Sequence, residues 1–287
     1  MNGVLIINKP KGYTSHDVVN SLRKKLNIKK VGHTGTLDPN ATGVLPILIG
    51  QATKISKYLI EHNKEYIAEL RLGEKSSTGD SDGEIIENKD VPELTQKQIE
   101  QTLKTFIGLQ KQIPPIYSAI KVNGKKAYEY ARNNEKLELK PRQIEILNIE
   151  LLKFENNIIT FKVKCSKGTY IRVLCENIAE KLGTVGLMQN LCRTKVNEFN
   201  IENSIALEEI QNNNIQNKII SIEEIFLKNE KIKLNKNKKV LFLNGVKLTY
   251  DLPDGTYRIY SNNTFIGLGI VHNKLLKRDV VIDNWIL

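Results

Sequence analysis

Apolar positions along the chain follow two periods, and each predicts its own elements. Val4 to Ile7 is an unbroken apolar run short enough for a buried strand, followed by the turn Asn8-Lys9-Pro10-Lys11-Gly12. Ser15 then stands where a helix cap is expected, ahead of Val18, Val19, Leu22 and Leu26 on one face. Strict alternation predicts two half-buried strands. Tyr66, Ala68, Leu70 and Leu72 share a side against Glu69 and Arg71, and Ile159, Phe161, Val163 and Cys165 share one against Thr160, Lys162 and Lys164. Thr95 and Gln98 form a capping-box pattern ahead of Ile99, Leu103 and Ile107, with Gly108 as the stop; Ile171, Leu174, Cys175, Ile178 and Leu182 mark another helix ending at Gly183. Beyond a Lys- and Asn-rich stretch around Asn229 to Lys239, Thr256 to Tyr260 and Phe265 to Val271 read as strands, with turns at Asp254-Gly255 and Asn262-Asn263. Helices and strands are mixed, and a small β-rich domain is expected from about residue 230.

Composition narrows the class. A chain of 287 residues has room for about two domains, and 40% hydrophobic with 26% charged residues excludes wholesale disorder. Near the start no apolar run approaches the length of a membrane span and no signal-peptide core follows, so a cytoplasmic location is expected. The three cysteines, Cys165, Cys175 and Cys192, are odd in number and lack Cys-x-x-Cys spacing, which favours reduced thiols over a disulfide framework or a zinc site. Charge sits at the ends: residues 1–35 carry 7 basic and 1 acidic side chains and residues 228–287 carry 11 and 5, within a formal net charge of +11. Clustered positive charge without a basic amphipathic helix favours nucleic acid over a membrane as partner. An AT-rich genome, suggested by the abundant Lys, Asn and Ile, would also enrich lysine.

The densest segment is Gly32-His33-Thr34-Gly35-Thr36-Leu37-Asp38-Pro39-Asn40-Ala41-Thr42-Gly43-Val44-Leu45-Pro46. Its glycines and short polar side chains describe a constrained loop before an apolar run, and no Gly-Lys-Ser/Thr closes it into a phosphate loop. Chemistry here falls to His33 or Asp38, although an Asp before Pro also suits a plain turn. The histidines, His16, His33, His62 and His272, lack metal-ligand spacing, so no metal is expected.

That loop resembles the Gly-His-Thr-Gly-x-Leu-Asp-Pro-x-Ala-Thr-Gly signature of the TruB family, the bacterial tRNA pseudouridine synthases. The resemblance extends to Asn8 through Gly12, Ile113 through Lys121, Gly124 through Arg132 and Cys165 through Arg172, in order, across residues 3 to about 195. It implies an α+β (mixed α/β) catalytic domain around a large antiparallel sheet over residues 1–229. A small β-rich RNA-binding domain of the PUA type is implied over residues 230–287. The implied activity is isomerisation of the T-loop uridine at tRNA position 55, with tRNA (its T-stem loop) as partner, no cofactor and no obligate protein partner.

Carried over residue by residue, Asp38 matches the catalytic aspartate, a nucleophile or a base, and Arg172 the arginine that pairs with it and holds it ionised. Tyr66 matches the tyrosine that stacks on the extruded base and assists proton removal at its carbon 5. His33 resembles the wedge that occupies the space the flipped nucleotide vacates, and Tyr170 and Leu191 match positions lining the uracil pocket. Lys9 and Lys11 of the basic turn are assigned to the RNA backbone. One departure follows Leu191, where the family usually runs Arg-Arg-Thr and then a Gly-Pro-Phe-like turn. This chain has Cys192-Arg193-Thr194 and Asn197-Glu198-Phe199, so RNA contacts are not carried over there. Two other classes stand beside the main reading: a non-catalytic tRNA-binding chaperone, and a guide-dependent synthase subunit acting on other RNA.

Overall fold

The structure is a computed structural model that describes residues 1–133, 135, 137–211 and 215–282. Strand β1 (Gly3–Lys9) forms from the first apolar run. Its continuous apolarity has a direct cause: Leu5 and Ile7 pack on one side of the sheet and Val4 and Ile6 on the other, so both faces are covered. Helix α1 (Ser15–Leu26) buries Val18, Val19, Leu22 and Leu26 as its period requires. Its cap is Thr14 rather than Ser15. The Thr14 side chain accepts from the Asp17 amide while the Asp17 carboxylate accepts from the Thr14 amide at 2.9 Å, a reciprocal box. Ser15 is the first helical residue, and its hydroxyl serves the interior.

The main sheet is built from β1, β2 (Val31–His33), β3 (Thr42–Ile49), β4 (Lys64–Leu72), β5 (Gly108–Gln112), β6 (Arg142–Glu155), β7 (Ile158–Cys165), β8 (Gly186–Val196), β9 (Phe199–Asn200) and β10 (Ile205–Ala206). Their order is β10-β1-β3-β8-β4-β7-β6-β5, with β2 beside β3 and β9 beside β8. The sheet is mainly antiparallel, with parallel pairings between β1 and β10 and between β3 and β8. Strand β4 alternates buried and half-buried residues without a break, matching the expected pattern. Helices α2 (Gln96–Lys104) and α3 (Ile171–Lys181) cover one face, where Ile99, Leu103, Leu174, Cys175 and Ile178 meet Ala68, Leu70, Phe161 and Val163. Helix α2 is shorter than its apolar period suggests. It ends at Lys104, Phe106 takes the buried position, and Ile107 is 47% exposed.

The Lys- and Asn-rich stretch is not a plain linker. It forms β11 (Lys231–Leu234), with Ile232 and Leu234 buried, and α4 (Lys236–Leu243), capped by the Asn235 side chain. With β12 (Leu248–Thr249), β13 (Gly255–Ser261), β14 (Thr264–His272) and β15 (Leu275–Val281) this makes a second sheet in the order β11-β13-β14-β15-β12. Leu268 and Val280 of that sheet share one apolar cluster with Val4, Ile6, Val44, Leu48 and Phe226. The C-terminal unit therefore packs directly on the back of β1 and β3, and Asp279 adds polar anchors to Lys57 and to the Tyr58 hydroxyl.

Candidate active site

Asp38 lies on the loop from β2 to β3, and distant pieces of chain fix that loop. From α1, the Ser15 hydroxyl accepts from the Leu37 amide at 2.9 Å, and Leu37 and Ala41 are buried in the core under the sheet. From the end of β1, the Lys9 ammonium donates to the carbonyls of Pro39 (2.9 Å), Pro10 (2.9 Å) and Tyr13. From β8, Arg193 Nε donates to the Val44 carbonyl at 2.8 Å. The parallel pairing of β3 with β8 sets Gly43 opposite Arg193. A Cβ at Gly43 would stand 2.2 Å from the Arg193 carbonyl oxygen, and its φ of +101° suits only glycine. The glycine-rich signature thus encodes a close approach of two strands.

Arg172, second residue of α3, is 4% exposed and points at this loop. Its Nε stands 3.1 Å from Asp38 Oδ2 and its Nη1 3.5 Å from Asp80 Oδ2. The remaining donors reach the Thr78 carbonyl at 3.0 Å and the Tyr117 carbonyl at 2.9 Å, so the fork is fixed in orientation. Burial pushes the Asp38 carboxyl above the ordinary carboxylate range, Arg172 is the main opposing charge, and Asp80 adds to the upward push. The arrangement holds a basic carboxylate next to one cation.

A cavity of about 590 Å³ opens beside this pair, lined among others by Asp38, Tyr66, Tyr170, Leu191, Arg172 and Arg193. Tyr66 is 8% exposed on β4, and burial raises its phenol, with Arg193 opposing. Tyr170, just before α3, is held by its backbone: its amide donates to Gln112 Oε1 at 2.8 Å and its carbonyl accepts from Gln112 Nε2 at 3.1 Å. Leu191 faces Ala68 across β8 and β4. His33, at the end of β2, is half-buried and stands outside the lining; burial lowers its pKa, and the Gly35 amide donates to its Nδ1 at 3.4 Å.

The two lysines of the basic turn part company. Lys11 is exposed, its ammonium 3.1 Å from Asn190 Oδ1. The expectation that Lys9 contacts the RNA backbone is overturned: it is 0% exposed, three carbonyls take its donors, and burial lowers its pKa to about 8. Its work is internal, joining β1 to the Asp38 loop. Sequence reasoning also passed over Asp80 and Gln112. Asp80 sits in the string Thr78-Gly79-Asp80-Ser81-Asp82-Gly83, where a turn rich in Gly and Asp near an alternating strand was the available signal. Nothing in the local pattern marks Gln112. Among the described residues no group of three His, Cys, Asp or Glu side chains could hold a metal ion, and no helix is long and apolar enough to cross a membrane.

With this geometry in place, comparison with known proteins is direct. Residues 23–171 match the TruB family pseudouridylate synthase (N terminal domain) and residues 172–228 match the tRNA pseudouridylate synthase B C-terminal domain. The chain belongs to the TruB family of pseudouridylate synthases. It is 45% identical over 284 residues to the tRNA pseudouridine synthase B of Alkaliphilus oremlandii, covering 96% of this chain and 94% of that one. To the protein of the same name from Caldanaerobacter subterraneus subsp. tengcongensis it is 42% identical over 281 residues, 96% of this chain and 98% of that one. Among solved structures it resembles the crystal structure of a Cbf5-Nop10-Gar1 complex, with a TM-score of 0.69 and 26% identity over 93% of this chain and 78% of that one.

Proposed function

We propose that this protein isomerises the T-loop uridine at position 55 of tRNA to pseudouridine, in the cytoplasm and without an obligate protein partner. The observation that carries the reading is the Asp38 carboxylate held 3.1 Å from a buried Arg172 at a cavity of about 590 Å³, a volume ordinary for a pocket that swallows a small ligand. A base inside a stem-loop reaches such a cavity only by leaving its stack.

The reaction needs no outside reagent. The bond from C1′ to N1 breaks, a bond from C1′ to C5 forms, the C5 proton leaves and N1 gains a proton, so product and substrate have the same composition. Asp38 attacks the sugar, attacks the base or takes the 2′ proton; each route requires an ionised carboxylate, which Arg172 favours. Tyr66 flanks the base and accepts the C5 proton, with Tyr170 and Leu191 closing the pocket and His33 filling the gap left in the RNA. Lys11 at the rim meets the backbone. Residues 230–287 act as the PUA-like RNA-binding unit, a role supported by the exposed Lys231, Lys233, Lys236 and Lys247. Relatives named tRNA pseudouridine synthase B that align over nearly the whole chain support tRNA over other RNA as substrate. The test is incubation of the pure protein with an unmodified tRNA transcript, without metal or nucleotide, followed by mapping of pseudouridine. Conversion at position 55 supports the reading; binding without conversion would leave the chaperone alternative in its place.

A further inference from the structure

Arg193 is a cation in the interior. It is 1% exposed and among the largest fully buried side chains, yet among the described residues it forms no ion pair with a carboxylate. Its Nε donates to the Val44 carbonyl at 2.8 Å, and Nη1 and Nη2 reach the Thr36 and Gly35 carbonyls at 3.4 Å each. An unpaired buried charge is costly, and its effect spreads, since Arg193 also lowers the pKa of Lys9, Lys64 and His33. Across the sheet its register partner is Tyr66, the two facing each other on adjacent antiparallel strands with both side chains lining the cavity. Directly opposed residues on neighbouring strands are within reach of each other.

We propose that Arg193 is the positioning residue for removal of the C5 proton, its guanidinium steadied by the Val44 carbonyl and directing the Tyr66 oxygen at the extruded base. This rests on the reading of Tyr66 as the proton acceptor. In the step, the Tyr66 phenol first gives its proton to water. The C5–H bond then breaks, its electron pair forms the C5–C6 double bond while the C6–N1 double-bond pair moves to N1, which takes a proton from water, and the C5 proton passes to the Tyr66 oxygen. Arg193 supplies the positive charge that a buried oxyanion requires and that no other side chain on β4 or β8 places opposite Tyr66.

Single-turnover conversion of tRNA carrying either uridine or 5-deuterouridine at the target position tests this. Arg193→Met is expected to slow conversion by about 100-fold, with a larger deuterium effect than the parent and tRNA affinity within about twofold of it. Arg193→Lys keeps the charge, so it is expected to recover part of the rate and to bring the deuterium effect back toward the parent value. Lowered rates in both variants with a deuterium effect equal to the parent's would assign Arg193 a purely structural role and overturn the proposal. Where Arg193→Met does not fold, Arg193→Gln, which keeps hydrogen-bonding capacity without the charge, takes its place in the comparison, a raised deuterium effect supporting the proposal and a parental one overturning it. Tyr66→Phe separates the two levels: if it leaves rate and deuterium effect unchanged, the reading of Tyr66 falls and the proposal with it.

Discussion

Arg172 Nε stands 3.1 Å from Asp38 Oδ2 in a guanidinium whose other nitrogens are committed to Asp80, Thr78 and Tyr117. A single buried cation thus serves two carboxylates and two carbonyls. Arg172→Met keeps the stem and leaves all of these acceptors without their donor. Breaking such a pair costs about 3 kcal/mol or more, equivalent to roughly a hundredfold in rate if it acts on the reacting carboxylate alone. Turnover is expected to fall at least that far, and Arg172→Lys to recover little of it, because a point charge cannot span the same set of acceptors. Single-turnover rates of the two variants check both statements.

Because burial raises the Asp38 carboxyl above 3.8, the acid limb of the pH–rate profile is expected above the usual carboxylate range. Removing the Arg172 charge moves that limb to still higher pH. A limb that stays in place in Arg172→Met contradicts the electrostatic role of the arginine.

Asp38→Asn is expected to abolish pseudouridine formation while tRNA still binds, which gel shift and modification mapping read separately. Stability follows from the same ionisation. Below pH 3.8 the group is protonated in both folded and unfolded chains; above that, up to its raised native value, the folded state holds more protons, so stability falls as pH rises through the window. The Asn variant lacks this penalty. At neutral pH it should melt no lower than the parent, and any advantage should vanish as pH drops below about 4.

Lys9→Met leaves the carbonyls of Pro10, Tyr13 and Pro39 without their shared donor. Each buried unsatisfied group costs about 1–3 kcal/mol, so a marked drop in melting temperature is expected. The salt dependence of tRNA binding should not change, since this lysine is internal. A reduced salt slope would return Lys9 to the RNA surface.

Removal of residues 230–287 is a poor probe of RNA binding, because Leu268 and Val280 complete the cluster around Val4 and Ile6. Replacement of Lys231, Lys233 and Lys247 by Gln changes only exposed positions. For every phosphate that a replaced lysine no longer neutralises, the slope of log affinity against log salt is expected to fall by about 0.7–0.9. The single-turnover rate at saturating protein should stay at the parent value.

Legibility in the sequence tracked how local each cause is. The alternation of Tyr66 to Leu72 and the apolar face of α3 were readable because burial imposes period two or 3.6 on neighbouring residues. Asp38 and Arg172 could be named from motifs, yet their 3.1 Å meeting depends on chain segments more than a hundred residues apart. Lys9 misled because lysine in a basic turn ordinarily seeks water, whereas here the folded loop supplies three carbonyls in its place. Strand β11 and helix α4 were hidden by lysines and asparagines, and only packing under the second sheet selects their few apolar residues. Asp80, Gln112 and Arg193 act through tertiary neighbours, which no window along the chain contains.

The two-way hydrogen bond between Gln112 and Tyr170 has a mechanical meaning. Gln112 ends β5, the strand at one margin of the main sheet, while the Asp38 loop hangs between β2 and β3 toward the other. The cavity is accordingly slung across the breadth of the sheet, like a bridge deck carried on two piers. Margins of a sheet fray before its centre. Warming should loosen the pier at Gln112 first, so activity is expected to fade several degrees below the temperature at which helix and strand signals collapse, and Gln112→Ala to widen that interval.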